Sequence, residues 1–443
     1  MTNQQVTHKV SPNPRRAAFS SFIGTTIEWY DYYIFGTAAV LVLNDQFFPA
    51  LDPFAATMAS FATFGVAFIA RPLGGAIFGH FGDRVSRKKM LVWSIMAMGL
   101  ATLVVGLLPN YATIGVWAPI LLVACRFVQG IAVGGEWGGA VLMALEHAPP
   151  EKRAFYASWP QCGVPAGVVL SSGTFFFVQL MPEEAMHSWG WRIPFLMSVV
   201  LIAVGLYIRL RVTESPEFVE VKERGEQSKV PAADIFRSHK KFLIIGMLST
   251  AAPNIVFYLA TVFMLSYGPK VGIDRSLIFV SLMIAAAFQV VSMPYIATFA
   301  DKHSSRIMLL GGAVLVGTMA FPIFALFNTG TTWGVMLAML IALPIVHATA
   351  YGAVSSFIAE LFPANVRFSG AALSYQLGGI ITSAPVPLVA TLLYEHYHTS
   401  NAIALYVVCA AIVTFIFVLI APRGKTDEPA GDQELPADAG SLV

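Results

Sequence analysis

The sequence predicts an all-α membrane protein: twelve transmembrane helices in two pseudo-symmetric six-helix bundles. Three observations carry that prediction. Of 443 residues, 56% are hydrophobic and only 12% charged, about half the charged share of soluble domains, and the mean hydropathy is +0.69. The apolar residues gather into repeated runs of about 20 residues or more, the length that crosses a bilayer. A short motif also recurs near half the chain length. "EHAPPEKR" carries Glu146, Pro149 and Arg153, and "ELFPANVR" carries Glu360, Pro363 and Arg367, so E-x-x-P-x-x-x-R appears twice, 214 residues apart. "GHFGDRVSRKK" and "ATFADKHSSR" echo each other more faintly, with Asp83 and Asp301 218 residues apart.

Taken in order, the first six spans are expected near 18–43, 54–79, 89–108, 119–145, 154–180 and 192–211. The second six are expected near 242–267, 276–299, 307–327, 333–359, 368–393 and 402–421. Each should be helical, because lipid offers no partner to a free backbone N–H or C=O. This divides the chain into a tail (1–17), a first bundle (18–212), a linker (213–241), a second bundle (242–421) and an acidic, proline-containing tail (422–443) expected to be disordered. Two parallel repeats of six spans are the pattern of transporters built from two rocking halves. With the N-terminus inside, 22 of the 27 Lys and Arg residues fall on inner segments, which predicts both termini in the cytoplasm of a plasma-membrane protein. Cys125, Cys162 and Cys409 lie in apolar runs and read as packing residues. No metal-ligand cluster or serine–histidine–acid set stands out, so neither a metal, a cofactor nor an enzymatic activity is expected.

The first span contains "GTTIEWYDYYIFG", with Glu28 and Asp31 at lipid depth. Spaced i, i+3, they share a helix face with Tyr32 beside them. An intramembrane acid is costly and is a functional candidate by default, so these two are the proton-coupling candidates. Counting about 1.5 Å per residue, Asp31 lies at the height of Arg126 on the fourth span, and Arg71 on the second at the height of Glu136 on the fourth. Two pairs are therefore expected: Asp31 with Arg126, and Arg71 with Glu136. Gln129, Gly130, Val133 and Trp137 follow Arg126 at helical spacing, while Gly130, Gly134 and Gly138 form a small-residue stripe suited to helix packing.

Several of these segments carry a family resemblance. "GHFGDRVSRKK" resembles the loop motif G-x-x-x-D-R-x-G-R-K-K of the major facilitator superfamily, with Ser86 in place of a glycine. "RFVQG" and "ELFPANVR" resemble two further motifs of that superfamily. Together with "EWYDYY", "ARPLGGAIFGHFGDR", "VGGEWGGA" and "SWGWRIPFL", they are similar to its metabolite–proton symporter family, and nearest to carriers of shikimate and related organic acids. The resemblance runs from about residue 17 to 420 and implies the major facilitator fold, with helices one, four, seven and ten facing a central cavity. With those helices facing the cavity, the polar and aromatic residues read along the spans, Arg126, Gln129, Tyr32, Trp137, Asn254, Tyr258, His347, Tyr351 and Gln376, are the substrate-contact candidates. A cytoplasmic gate is implied at Asp83, Arg84, Arg87, Lys88 and Glu146, with Arg153, Asp301, Glu360 and Arg367 as the repeat-related members.

The function expected is proton-coupled uptake of a small organic acid by a monomer, whose partners are an organic anion, protons and the bilayer, with no nucleic acid. Uptake of a zwitterionic osmolyte such as proline or betaine is the alternative, although this tail lacks the heptads of some betaine carriers. Export by proton antiport is another, since "GVPAG" faintly resembles an antiporter motif. A receptor would need a signalling domain, for which a linker of about 30 residues leaves no room.

Overall fold

The computed structural model describes residues 14–84, 87–134, 152–210, 231–362 and 367–422, together with 136, 140, 141, 144, 148 and 149. The side chains of 79–88, Arg153 and Arg367 fall outside this description. The first bundle comprises α1 (Pro14–Ala38), α2 (Pro53–Arg84), α3 (Arg87–Leu107), α4 (Trp117–Gly134), α5 (Arg153–Gln179) and α6 (Ile193–Leu210). The second comprises α7 (Lys240–Lys270), α8 (Arg275–Lys302), α9 (Ser305–Phe327), α10 (Thr332–Glu360), α11 (Ser369–Tyr397) and α12 (Ser400–Leu419). Ten of the described helices are long and apolar enough to cross a membrane; α1 and α3 complete the set of twelve. Side-chain caps start four of them. Asp274, Ser304, Thr331 and Thr399 accept from the backbone N–H groups of Ser276, Arg306, Gly334 and Asn401, satisfying donors that helix geometry leaves free.

Packing repeats between the halves. α1 lies along α5, α2 along α4 and α3 along α6; the equivalent pairs α7–α11, α8–α10 and α9–α12 recur in the second half. The halves meet chiefly where α5 runs along α8 and α2 along α11. In the first half the α2–α4 seam depends on glycine. A Cβ on Gly134 would stand 1.9 Å from the carbonyl oxygen of Arg71, and one on Gly130 2.2 Å from that of Ala67. No side chain fits there, so the two backbones touch. The glycines of "GVPAG" do the same on α5, where Cβ atoms on Gly163 and Gly167 would fall 2.7 Å from Thr25 Cβ and 2.8 Å from the Tyr30 nitrogen.

"SWGWRIPFL" becomes a staple at the far end of the bundle from the basic loops. Arg192 donates to the carbonyls of Gly106 (2.8 Å) and Leu108 (2.6 Å), satisfying acceptors at the end of α3. Trp191 is fully buried, edge-on to Phe47 and Phe195. The Tyr30 hydroxyl donates to the Pro194 carbonyl at 2.8 Å, tying α1 to α6.

Among the described residues there are three π-helical stretches: Ala39–Leu43 follows α1, Leu259–Phe263 lies in α7 and Ala342–His347 in α10. Wider turns of this kind are frequent at functional sites. The first two occupy equivalent places in the two halves.

Candidate binding and coupling site

Within the first half, α1, α2 and α4 enclose two guanidinium groups and an acid. The apolar surroundings follow from sequence spacing: Phe61, Phe64, Phe68 and Arg71 recur every three or four residues, so one face of α2 is aromatic and ends in a cation. Tyr32 on α1 fills the gap between that face and α4. Its ring centroid lies 4.7 Å from the Arg71 guanidinium carbon and 4.9 Å from that of Arg126.

Arg126 is completely buried. Its Nη1 donates to Gln129 Oε1 (2.8 Å) and its Nη2 to the Phe64 carbonyl (3.4 Å), while Nε has no hydrogen-bond partner. Phe35 covers the guanidinium at 4.1 Å. Asp31 is 1% exposed, and its Oδ1 has no hydrogen-bond partner. The direct Asp31–Arg126 ion pair expected from depth is not formed. Asp31 turns towards Thr102 on α3, whereas Arg126 turns to the aromatic wall of α1 and α2. Gln129 holds Arg126 with its carbonyl and donates from Nε2 to the Thr102 hydroxyl at 2.8 Å, and that hydroxyl donates in turn to the Met98 carbonyl at 2.9 Å.

The pair expected between Arg71 and Glu136 also requires correction. The backbone of α2 at Arg71 presses against Gly134, so the Arg71 side chain leaves on the opposite face, towards α1. There its guanidinium carbon lies 4.2 Å from the Phe68 ring, 4.7 Å from Tyr32 and 5.5 Å from Trp29, with Nε and Nη2 lacking hydrogen-bond partners. Glu136 faces α3 and lies 3.2 Å from the Ser94 hydroxyl. Glu28 is buried on the same side of α1, near enough to act electrostatically on Arg71.

The second half closes over this cluster. Tyr258 on α7 packs edge-on to Phe68 at 5.6 Å and Phe64 at 6.1 Å, and Gln376 on α11 donates to the Gly134 carbonyl at 3.3 Å. Tyr33 meets Phe257 at 5.7 Å. Asn254 turns into its own half, donating to the Thr382 hydroxyl at 2.9 Å. The Tyr351 and Tyr375 hydroxyls share a hydrogen bond of 2.8 Å. His347 bonds through Nδ1 to the Gln289 amide and lies between the rings of Phe257 and Tyr351. Of the second-half candidates, Tyr258 and Gln376 therefore reach the first half; Asn254 and His347 are held within the second.

At the basic end, the Asp301 carboxylate on α8 accepts from the backbone N–H groups of Ala154 (2.7 Å) and Phe155 (3.0 Å) at the start of α5. A negative charge is favoured there by the helix dipole, and this contact joins the two halves. Glu360 lies 3.4 Å from the Ser305 hydroxyl. Trp137 and Glu146 lie outside the described residues, as do the side chains of Asp83, Arg84, Arg87, Lys88, Arg153 and Arg367. Among the described residues no group of three His, Cys, Asp or Glu side chains could hold a metal. Sequence reasoning missed Thr102, although a lone hydroxyl deep in an apolar span is a legible signal. It also gave Arg71 the wrong neighbours, although the Phe64–Phe68–Arg71 spacing marks its true face.

A family model described as "Sugar (and other) transporter" matches residues 17–240. The chain is 41% identical over 410 residues to the inner membrane metabolite transport protein YhjE of Escherichia coli (strain K12), covering 90% of this chain and 92% of that protein. To the shikimate transporter of the same organism it is 37% identical over 413 residues, covering 92% and 94%. Among solved structures, a D-xylose–proton symporter matches with a TM-score of 0.72 at 17% identity, over 93% of this chain and 99% of that one. A likeness at so low an identity speaks for the fold alone.

Proposed function

The chain belongs to the metabolite–proton symporter family of the major facilitator superfamily, whose members are transporters and not enzymes, and from that premise we propose that it imports a small organic acid together with protons. The observation that carries this reading is the buried Arg126, which keeps an unpartnered Nε, in the same cluster as the buried Asp31, whose Oδ1 is unpartnered too. Burying an ion without a counter-ion costs several kcal/mol, and cation–π contact with neighbouring rings returns about 2 kcal/mol. A substrate carboxylate gripping the guanidinium supplies the rest as charge-assisted hydrogen bonds. A substrate carboxylate and an ionised Asp31 would place two negative charges close together in one dry site, which is unfavourable. The anion therefore enters with a proton, which Asp31 carries.

A monoanion moving with one proton carries no net charge. The pH gradient then drives uptake, and the membrane potential, worth about 2.3 kcal/mol per charge at 100 mV, does not. Proteoliposomes with an acidic exterior, supplied with shikimate, succinate, 2-oxoglutarate or glycine betaine, test the reading. At least one acid should accumulate, and a protonophore should abolish the accumulation. Accumulation of glycine betaine alone overturns the assignment.

The gate follows from the same geometry. Asp301 latches the basic ends of α5 and α8, which the Lys and Arg distribution assigns to the cytoplasm, and inward opening must break that latch. In Asp301→Ala, spin labels at positions 152 and 302 should gain a longer-distance population. An unchanged distance distribution rejects the latch.

A further inference from the structure

Arg71 is 2% exposed and forms no ion pair with any described acid, yet two of its three guanidinium nitrogens lack a hydrogen-bond partner. Rings of Trp29, Tyr32 and Phe68 surround it. That contact offsets only part of the cost of an enclosed cation. Arg71 and Arg126 both lie within 5 Å of the Tyr32 ring centroid. The Tyr32 hydroxyl has no hydrogen-bond partner. One carboxylate is enough for Arg126, and a site built for one carboxylate has no use for a second orphaned fork.

We propose that Arg71 is a second anion anchor and that the preferred substrate is an α,ω-dicarboxylate, one carboxylate on Arg126, the other on Arg71, with the Tyr32 hydroxyl donating between them. This rests on the anion reading of Arg126 and adds the number of acidic groups the substrate carries. It gives specificity a physical source: a monocarboxylate of equal length leaves the Arg71 fork unpaired, so the site disfavours it.

The test is calorimetric titration of purified protein in nanodiscs with matched pairs, succinate against butyrate and glutarate against pentanoate. In the unaltered protein the dicarboxylate of a pair should bind about tenfold tighter or more, as expected for one additional charge-assisted contact. Arg71→Gln should erase that preference and leave monocarboxylate affinity within about threefold. Arg71→Lys keeps the charge but loses the fork; it should weaken the dicarboxylate alone, and it serves as the test should the glutamine variant fail to fold. Equal binding of both members of each pair by the unaltered protein overturns the proposal. So does an Arg71 variant that weakens both members alike. Arg126→Gln separates the two ideas: loss of both members leaves the anion reading intact whatever Arg71 does, while retention of both sinks that reading too. Failure of the unaltered protein to bind any of the four acids overturns the dicarboxylate proposal alone; the anion reading then stands or falls on the proteoliposome assay with shikimate and 2-oxoglutarate.

Discussion

Asp31→Asn will exchange substrate across the membrane without accumulating it. Asparagine matches the protonated acid in shape and can still meet Thr102, so a variant frozen in the neutral form should bind substrate and complete the loaded half of the cycle. It cannot release a proton, so the energy of the pH gradient never reaches the substrate. One pH unit is worth about 1.4 kcal/mol, a tenfold accumulation for one proton per substrate. The internal-to-external ratio should fall from about that value to about one, with counterflow retained. Uphill, protonophore-sensitive uptake by this variant would remove Asp31 from the coupling path. Glu28→Gln is the matched comparison. It lies on the same face of α1 but acts on Arg71, so it should still accumulate substrate if Asp31 alone carries the proton.

Arg126→Gln should lose affinity by about 3 kcal/mol, on the order of a hundredfold in Kd, the size seen when one member of a buried charged pair is removed. Arg126→Lys should rescue little. A point charge cannot hold Gln129 and the Phe64 carbonyl at once and still offer a third donor to substrate. Isothermal titration of both variants, with thermal unfolding as the control for folding, measures this. A Kd within threefold of the unaltered protein for either variant rules out the guanidinium as the anion anchor.

The architecture was legible because the bilayer imposes it: apolar length sets the spans, and among the described residues each expected span meets a helix, the fourth as far as Gly134 and the eleventh in two segments. Span order and the repeated E-x-x-P-x-x-x-R motif pointed to two halves, and the helix pairings recur in both. Glycines 130 and 134 were readable as a packing seam. The ion pairs were less so, for a geometric reason. Counting residues gives the height of a side chain in the membrane, but pairing also needs its direction around the helix axis. Arg71 and Glu136 sit at neighbouring heights and point to different helices, because Gly134 draws the Arg71 backbone, not its side chain, against α4. Asp31 and Arg126 fail to meet for the same reason, and the hydrogen bonds from Gln129 to Arg126 and Thr102 could not be drawn from height alone. His347, marked as a cavity residue by its helix, is held within the second half by Gln289 and two rings.

The π-helical stretches carry a consequence for how the chain tolerates change in length. A π turn holds one residue more than an α turn. Deleting a single residue within 39–43, 259–263 or 342–347 would let the helix close with ordinary bonding while both flanks kept their facing. The same deletion elsewhere in α1, α7 or α10 would swing everything beyond it by about 100°. These three places are therefore the joints at which a lineage could lose one amino acid and keep its bundle.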